Sequence, residues 1–275
     1  MCGIVGYIGE KRAAPILLDS LKKLEYRGYD SAGIAVFNEK IVCYKNEGEL
    51  EKLIKLLPKD LDGTIGIGHT RWATHGRPST INAHPHLDCS GRIAVVHNGI
   101  IENFYELREE LQKRGHKFTS ETDTEVLAHL IEENYNGSLD LALRNALSRV
   151  SGSFAIAVLC CSEPDKIVVA RKDNPLILGI GENENYIASD IPAILKFTRK
   201  MIFLDNGEMA AIRKNGIKIT TFQGEEVHKS IQNITWDIKA AEKAGYEHFM
   251  LKEIYEQPKV VVETMAGRIS EYEGR

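Results

Sequence analysis

Short apolar runs of strand length open this chain, a block of amphipathic helices follows, and strand-length runs return after it. A parallel sheet calls for strands and helices in regular alternation, so this order favours two mostly antiparallel sheets with helices outside them. Strands are predicted over residues 3–8, 33–37, 41–45, 63–69, 92–97, 153–160 and 166–171, with further short strands beyond Leu176. Helices are predicted over 14–26, 49–57, 103–114, 122–135 and 139–150. Gly115 reads as the glycine closing the third helix, and Thr122-Asp123-Thr124-Glu125 as a capping box opening the fourth. Asn206-Gly207 and Asn215-Gly216 read as hairpin turns. From about residue 225 the chain turns polar, and helical spacing returns after 240 with an interruption at Pro258. The expected organisation is one α+β domain over 1–228 and a tail over 229–275 leading out of it.

Composition narrows the partners. The net charge is −4, which gives no reason to expect nucleic acid or an anionic membrane surface. Charged residues interrupt the first thirty positions, unlike a signal peptide, and the longest apolar run, 154–161, is too short to span a bilayer. The five cysteines, Cys2, Cys43, Cys89, Cys160 and Cys161, are odd in number, and no pair has zinc-finger or CxxC spacing. Free thiols in a reducing cytoplasm are expected, with Cys43 and Cys160 in the core; neither a disulfide framework nor a cysteine metal site is expected.

Cys2 follows the initiator methionine and opens Cys2-Gly3-Ile4-Val5-Gly6-Tyr7-Ile8-Gly9. A small second residue permits removal of Met1, which would give one residue a thiol and a free α-amine. The thiol is a strong nucleophile. The amine, with a reference pKa of roughly 7.7–8 against about 10.4 for lysine, is a usable general base near neutral pH. The plainer alternative is a small buried residue starting a strand.

Several polar clusters adjoin the strands. His69-Thr70-Arg71-Trp72-Ala73-Thr74-His75-Gly76 holds a guanidinium suited to a carboxylate and an aromatic suited to a lid, or it is a solvated loop. Asn98-Gly99 offers an amide and a backbone N–H for an oxyanion hole, or it is an ordinary turn. The carboxylates of 120–125 suit an ammonium group, or they cap a helix. The glycines of Arg27-Gly28-Tyr29-Asp30-Ser31-Ala32-Gly33 allow close backbone approach. His84-Pro85-His86 lacks a third nearby ligand and is weak evidence for a metal.

In this order, the segments around Cys2-Gly3-Ile4-Val5-Gly6, Tyr26-Arg27-Gly28-Tyr29-Asp30, His69 to Gly76, Asn82-Ala83-His84-Pro85-His86, His97-Asn98-Gly99 and Ser120 to Glu125 resemble the class II glutamine amidotransferases, whose nucleophile is the N-terminal residue. Tyr186-Ile187-Ala188-Ser189-Asp190 extends the likeness. Within that family, Tyr26 to Gly33, His69 to Gly76 and the stretch from His248 to Pro258 resemble the branch that makes glucosamine 6-phosphate from fructose 6-phosphate.

The resemblance implies a four-layer αββα sandwich and hydrolysis of the glutamine side-chain amide through a γ-glutamyl thioester, with no metal or organic cofactor. It implies Cys2 as nucleophile with its α-amine as base, and Asn98 and Gly99 as the oxyanion hole. It further implies Arg71 on the glutamine α-carboxylate with Thr74 and His75 in the same loop, Trp72 in a closing loop, Asp123 on the α-ammonium, and Arg27 and Gly28 orienting the terminus. The partner implied is a sugar isomerase domain or subunit acting on fructose 6-phosphate, in an enzyme that is a homo-oligomer; no such domain lies within these residues. A purine- or asparagine-pathway amidotransferase, or a glutamine-binding module without catalysis, remain the competing readings.

Overall fold

The computed structural model describes residues 2–235, 246 and 249–265. Its strands are β1 (Gly3–Ile8), β2 (Ser31–Asn38), β3 (Lys40–Glu47), β4 (Ile65–Arg71), β5 (His86–Leu87), β6 (Ile93–Ile101), β7 (Gly152–Cys160) and β8 (Lys166–Lys172). These are followed by β9 (Ile177–Ile180), β10 (Asn185–Ala188), β11 (Lys200–Phe203), β12 (Glu208–Arg213), β13 (Gly216–Thr221), β14 (Glu226–Val227) and β15 (Gln232–Asn233). The helices are α1 (Ala13–Lys22), α2 (Leu50–Leu56), α3 (Phe104–Lys113), α4 (Glu125–Asn134), α5 (Leu139–Leu147) and α6 (Phe249–Met265).

The strands form two sheets, in the orders β15-β11-β9-β10-β1-β4-β2-β3 and β14-β13-β12-β8-β7-β6-β5. Every ladder between these strands is antiparallel. The inner faces pack on each other: Ile4, Ile67 and Leu178 of the first sheet share one apolar cluster with Val96, Ala157 and Val169 of the second. The outer face of the second sheet, through Val95, Ile156 and Val168, packs under Leu107, Leu127 and Leu143 of α3, α4 and α5. Helices α1 and α2 pack against the first sheet. The result is helix, sheet, sheet, helix, the layering expected from the order of apolar segments.

Strands β1, β4 and β6 are buried along almost their whole length because both faces are covered, which explains near-continuous apolar runs where a half-exposed strand would alternate. Three local expectations need correction. The helix predicted to reach residue 26 ends at Lys22, and the chain tightens into a 3-10 turn, Glu25–Arg27, that turns Arg27 inward. The capping box does not form. Helix α4 starts at Glu125 with no side-chain cap, because the Glu125 carboxylate instead accepts from Thr119 and Ser120, and Thr122 Oγ1 bonds His86 Nε2. Of the two Asn-Gly turns, Asn215-Gly216 joins paired strands β12 and β13, whereas Asn206-Gly207 lies on the link from β11 in one sheet to β12 in the other. Cys160 is buried as expected, but Cys43 is only half-buried.

The described chain divides into two compact units, Met1–Ile234 and Thr235–Arg275. In the second, α6 carries Pro258 in its interior. No helix among the described residues is long and apolar enough to cross a membrane.

Candidate active site

Cys2 stands at the entrance of β1, and the neighbouring strand β4 ends opposite it, with Gly3 paired to Thr70. That pairing brings the residues after β4 to the thiol: the Trp72 N–H donates to Cys2 Sγ at 3.2 Å, and the thiol faces the Trp72 carbonyl at 3.4 Å. Burial pushes the Cys2 thiol pKa upward, opposed by the Trp72 N–H and the positive charge of Arg71. Free thiolate is thus scarce at rest, and the group needs a base at the moment of attack.

The backbone of Cys2 is held from two sides. Asn98 Nδ2 donates to its carbonyl at 3.1 Å and Arg27 Nε donates at 3.2 Å. Arg27 is anchored in turn by Asp190, 2.8 Å from its Nη1, and Asp190 also accepts from the Tyr26 hydroxyl. The Ser189 hydroxyl accepts from the Ile4 N–H, so the segment after β10 fixes both the start of β1 and the arginine above it. Gly28 is required by crowding: a Cβ there would lie 2.6 Å from the Arg71 carbonyl carbon.

The orientation of Asn98 follows from a buried histidine. His69 Nε2 lies 3.0 Å from both the His97 carbonyl and Asn98 Oδ1. Both are acceptors, so Nε2 carries the proton and the amide NH₂ of Asn98 must face Cys2. Burial lowers the His69 pKa to about 3, with the hydrogen bond to Asn98 opposing it, so the ring stays neutral through ordinary pH. His69 stacks on His84 at 4.1 Å, and His84 Nδ1 accepts the His97 N–H. The His84-Pro85-His86 segment therefore belongs to a packed, hydrogen-bonded histidine group.

Asn98-Gly99 lies inside β6, and is not a turn: Asn98 pairs with Ala155 and Gly99 with Phe154. Gly99 has φ +125°, and a Cβ would approach the Ser153 carbonyl oxygen to 2.0 Å. Only glycine satisfies both conditions.

Arg71 ends β4 and is 3 % exposed. Its guanidinium donates to the carbonyls of His75 and Gly76, the latter at 2.8 Å, and so shapes the 72–77 loop from inside. Burial lowers its pKa, opposed by the negative charge of Asp30, Cys2 and Asp123. Asp30 also accepts from the Ala73 N–H. Trp72 is 46 % exposed and meets Tyr29 edge-on at 5.5 Å. Thr74 is exposed, and the His75 ring packs against Phe104 at 5.1 Å. Asp123 is buried, and its Oδ2 accepts the Ile101 N–H at 2.8 Å.

Cys2, Arg27, Gly28, Arg71, Trp72 and Asn98 are thus brought together directly. Asp123 joins them through its electrostatic coupling to Arg71, while Thr74 and His75 stand in the adjoining loop. The sequence reading did not single out His69, Asp30 or Asn82 as site residues. Asn82 bridges the Arg77 carbonyl and the Glu121 carboxylate, joining the arginine loop to the segment that holds Asp123. All three stand in segments that the sequence singles out, but the partners that give them their roles lie far along the chain, and local spacing does not show them.

Residues 60–252 match the glutamine amidotransferase domain family, a span that includes Arg71, Asn98, Gly99 and Asp123 and starts downstream of Cys2. The chain belongs to that family. Its relatives include proteins named glutamine–fructose-6-phosphate aminotransferase (isomerizing) from Caldanaerobacter subterraneus subsp. tengcongensis, 58 % identical over 271 residues, and from Clostridium tetani, 56 % identical over 271 residues. Each alignment takes in 98 % of this chain and 45 % of the relative, so the amidotransferase-family chain spans about half the length of these proteins. Among solved structures, the glutamine phosphoribosylpyrophosphate amidotransferase from B. subtilis complexed with ADP and GMP superposes with a TM-score of 0.71 at 29 % identity, over 80 % of this chain and 49 % of that one. A glutamine aminotransferase class-II domain protein from Silicibacter pomeroyi, at 16 % identity and a TM-score of 0.54, shares the fold.

Proposed function

We propose that this chain is the glutaminase half of an enzyme that makes glucosamine 6-phosphate, with the glutaminase domain expected over 1–228 carried on to Ile234 by the pairing of β15 with β11, and the rest as the tail toward a sugar isomerase domain acting on fructose 6-phosphate. The observation that carries the chemistry is the placement of Cys2 Sγ beside the Trp72 N–H, with the Asn98 amide held toward the same residue by neutral His69. The site is proposed to work in the cytoplasm, in a homo-oligomer, without a metal or organic cofactor.

With Met1 removed, the α-amine of Cys2 accepts the thiol proton as sulfur bonds to the carboxamide carbon of glutamine. The carbonyl electron pair moves to oxygen, which rests on the Asn98 amide and the Gly99 N–H. The amine passes its proton to the amide nitrogen, the C–N bond breaks, and ammonia leaves a γ-glutamyl thioester. Water then adds to the thioester, giving a proton to the amine, and the thiolate departs and is reprotonated as glutamate is released. Arg71 is the α-carboxylate partner, Asp123 the α-ammonium partner, and Trp72, Thr74 and His75 form the loop over the substrate. Arg27 and Gly28 hold the terminus.

Rapid quenching during turnover of glutamine, followed by peptide mass spectrometry, tests this reading. A γ-glutamyl adduct on a peptide beginning at Cys2 is expected. Glutamate release by molecules that retain Met1, or an adduct on a different cysteine, would overturn it. Fusion to a sugar isomerase half and a comparison of fructose 6-phosphate, phosphoribosylpyrophosphate and aspartate as acceptors tests the second half, with amination of the first expected.

A further inference from the structure

Beside β5, the edge strand of the second sheet, the fold gathers four side chains that no part of the glutaminase reading uses. Cys89 lies in the turn between β5 and β6, His116 follows α3, and His129 and Glu132 stand one turn apart on α4. Each offers one donor atom, and the four atoms lie within 4.8 Å of one another. Cys89 Sγ is 3.7 Å from His116 Nδ1 and 3.5 Å from His129 Nδ1. Glu132 Oε2 is 3.1 Å from His116 Nδ1 and 3.3 Å from His129 Nδ1.

The two sulfur–nitrogen and two nitrogen–oxygen separations, 3.1–3.7 Å, are close to the edges of a tetrahedral ion site, and closing the remaining pairs from within 4.8 Å takes only side-chain adjustment. Zinc–sulfur bonds of about 2.3 Å and zinc–nitrogen bonds of about 2.0–2.1 Å set tetrahedral edges of about 3.5 Å for sulfur to nitrogen, and about 3.3 Å for nitrogen to oxygen. We propose that Cys89, His116, His129 and Glu132 form a zinc site. One thiolate, two imidazoles and one carboxylate select zinc over calcium or magnesium, which prefer all-oxygen shells.

Two neighbours support it. His129 is 1 % exposed, and its Nε2 is buried without a hydrogen bond, 3.8 Å from Glu125 Oε1. A lone pair on Nε2 would face that carboxylate; a proton there removes the conflict and frees the Nδ1 lone pair to ligate. A carboxylate behind a ligating imidazole is the usual outer-shell arrangement. The Lys117 N–H donates to Cys89 Sγ at 3.4 Å, as suits a sulfur that carries charge. Cys89 itself is exposed, which gives the ion a way in. The ion would pin the β5–β6 turn and the segment after α3 to α4, the helix that begins two residues beyond Asp123.

The test uses the present chain, stripped of metal with a chelator and titrated with Co(II) as a spectroscopic stand-in. One equivalent is expected to bind with a sulfur-to-cobalt charge-transfer band in the near ultraviolet and the intense visible bands of a tetrahedral centre, all displaced by zinc. Cys89→Ser should abolish the ultraviolet band. Glu132→Gln should weaken affinity at least as much as the about 10–100-fold that outer-shell changes cost. Absence of the charge-transfer band in the unmutated chain overturns the proposal whatever the variants do, as does binding by both variants as tight as that of the unmutated chain. Because the readout is spectroscopic, failure of this site and failure of the glutaminase reading remain distinguishable.

Discussion

Cys2 and Cys89 are both thiols that accept a backbone N–H at a sheet end, and burial raises the pKa of both, yet their neighbours point to different chemistry. Around Cys2 stand a guanidinium and an amide aimed at its own carbonyl, groups that steady a reacting centre and receive negative charge. Around Cys89 stand two imidazole nitrogens and a carboxylate oxygen, groups with lone pairs to donate. The surroundings, more than the sulfur, separate a nucleophile from a metal ligand.

The strongest way to break that contrast is at Cys2. Cys2→Ala should lower glutamate release by about 10⁴-fold or more while circular dichroism stays unchanged. Substantial residual turnover would remove Cys2 from its role. Asn98→Ala should cost about 10²–10³-fold in kcat, the usual loss for one oxyanion donor, with little change in KM; a loss confined to KM would make Asn98 a binding group. Alkylation sharpens the contrast: zinc should slow iodoacetamide modification of Cys89 by about tenfold or more, in line with metal capping of a thiolate, and leave Cys2 open. Peptide mapping that shows equal protection of both would erase the distinction.

A last test reads the Cys2 region through pH. His69, His84, His86 and His97 around the Cys2 site are all held neutral by burial, with pKa values below their ordinary one. The unfolded chain takes up protons there below about pH 6.5 while the folded one does not, so stability is present above that pH and falls as the pH drops. Each such histidine costs about 1.4 kcal/mol per pH unit until its folded pKa is reached. Thermal melts between pH 7 and pH 5 should show a steep fall in Tm, and His69→Gln should make it shallower by the share of one histidine in four. A pH-independent Tm would mean that these rings titrate normally.

Much of this was legible in the sequence where one segment carries its own signal. The order of apolar runs indicated the two sheets, and the succession of polar motifs placed Cys2, Arg71, Asn98 and Asp123 in one family pattern. What escaped depended on partners distant along the chain. Asn98-Gly99 and Asn215-Gly216 are the same dipeptide, but one lies mid-strand and the other closes a hairpin, and only the pairing of β6 with β7 tells them apart. Glu125 looked like a cap because Thr122 stands three residues before it, yet it bonds Thr119 and Ser120. Cys89, His116, His129 and Glu132 have no familiar spacing because a hairpin turn and a helix, not a local motif, bring them together.

The link through Asn206-Gly207 carries the chain from one sheet to the other, and it is not the sole crossing: β1 to β4, β9 to β11 and β15 belong to the first layer, β5 to β8 and β12 to β14 to the second. Each layer is thus assembled from separated stretches that flank segments of its neighbour. No cut at a single loop could release either sheet intact, and the two should melt in one cooperative step. Removing the strands after the Asn206-Gly207 link would leave both layers incomplete, β12 to β14 from one and β15 from the other.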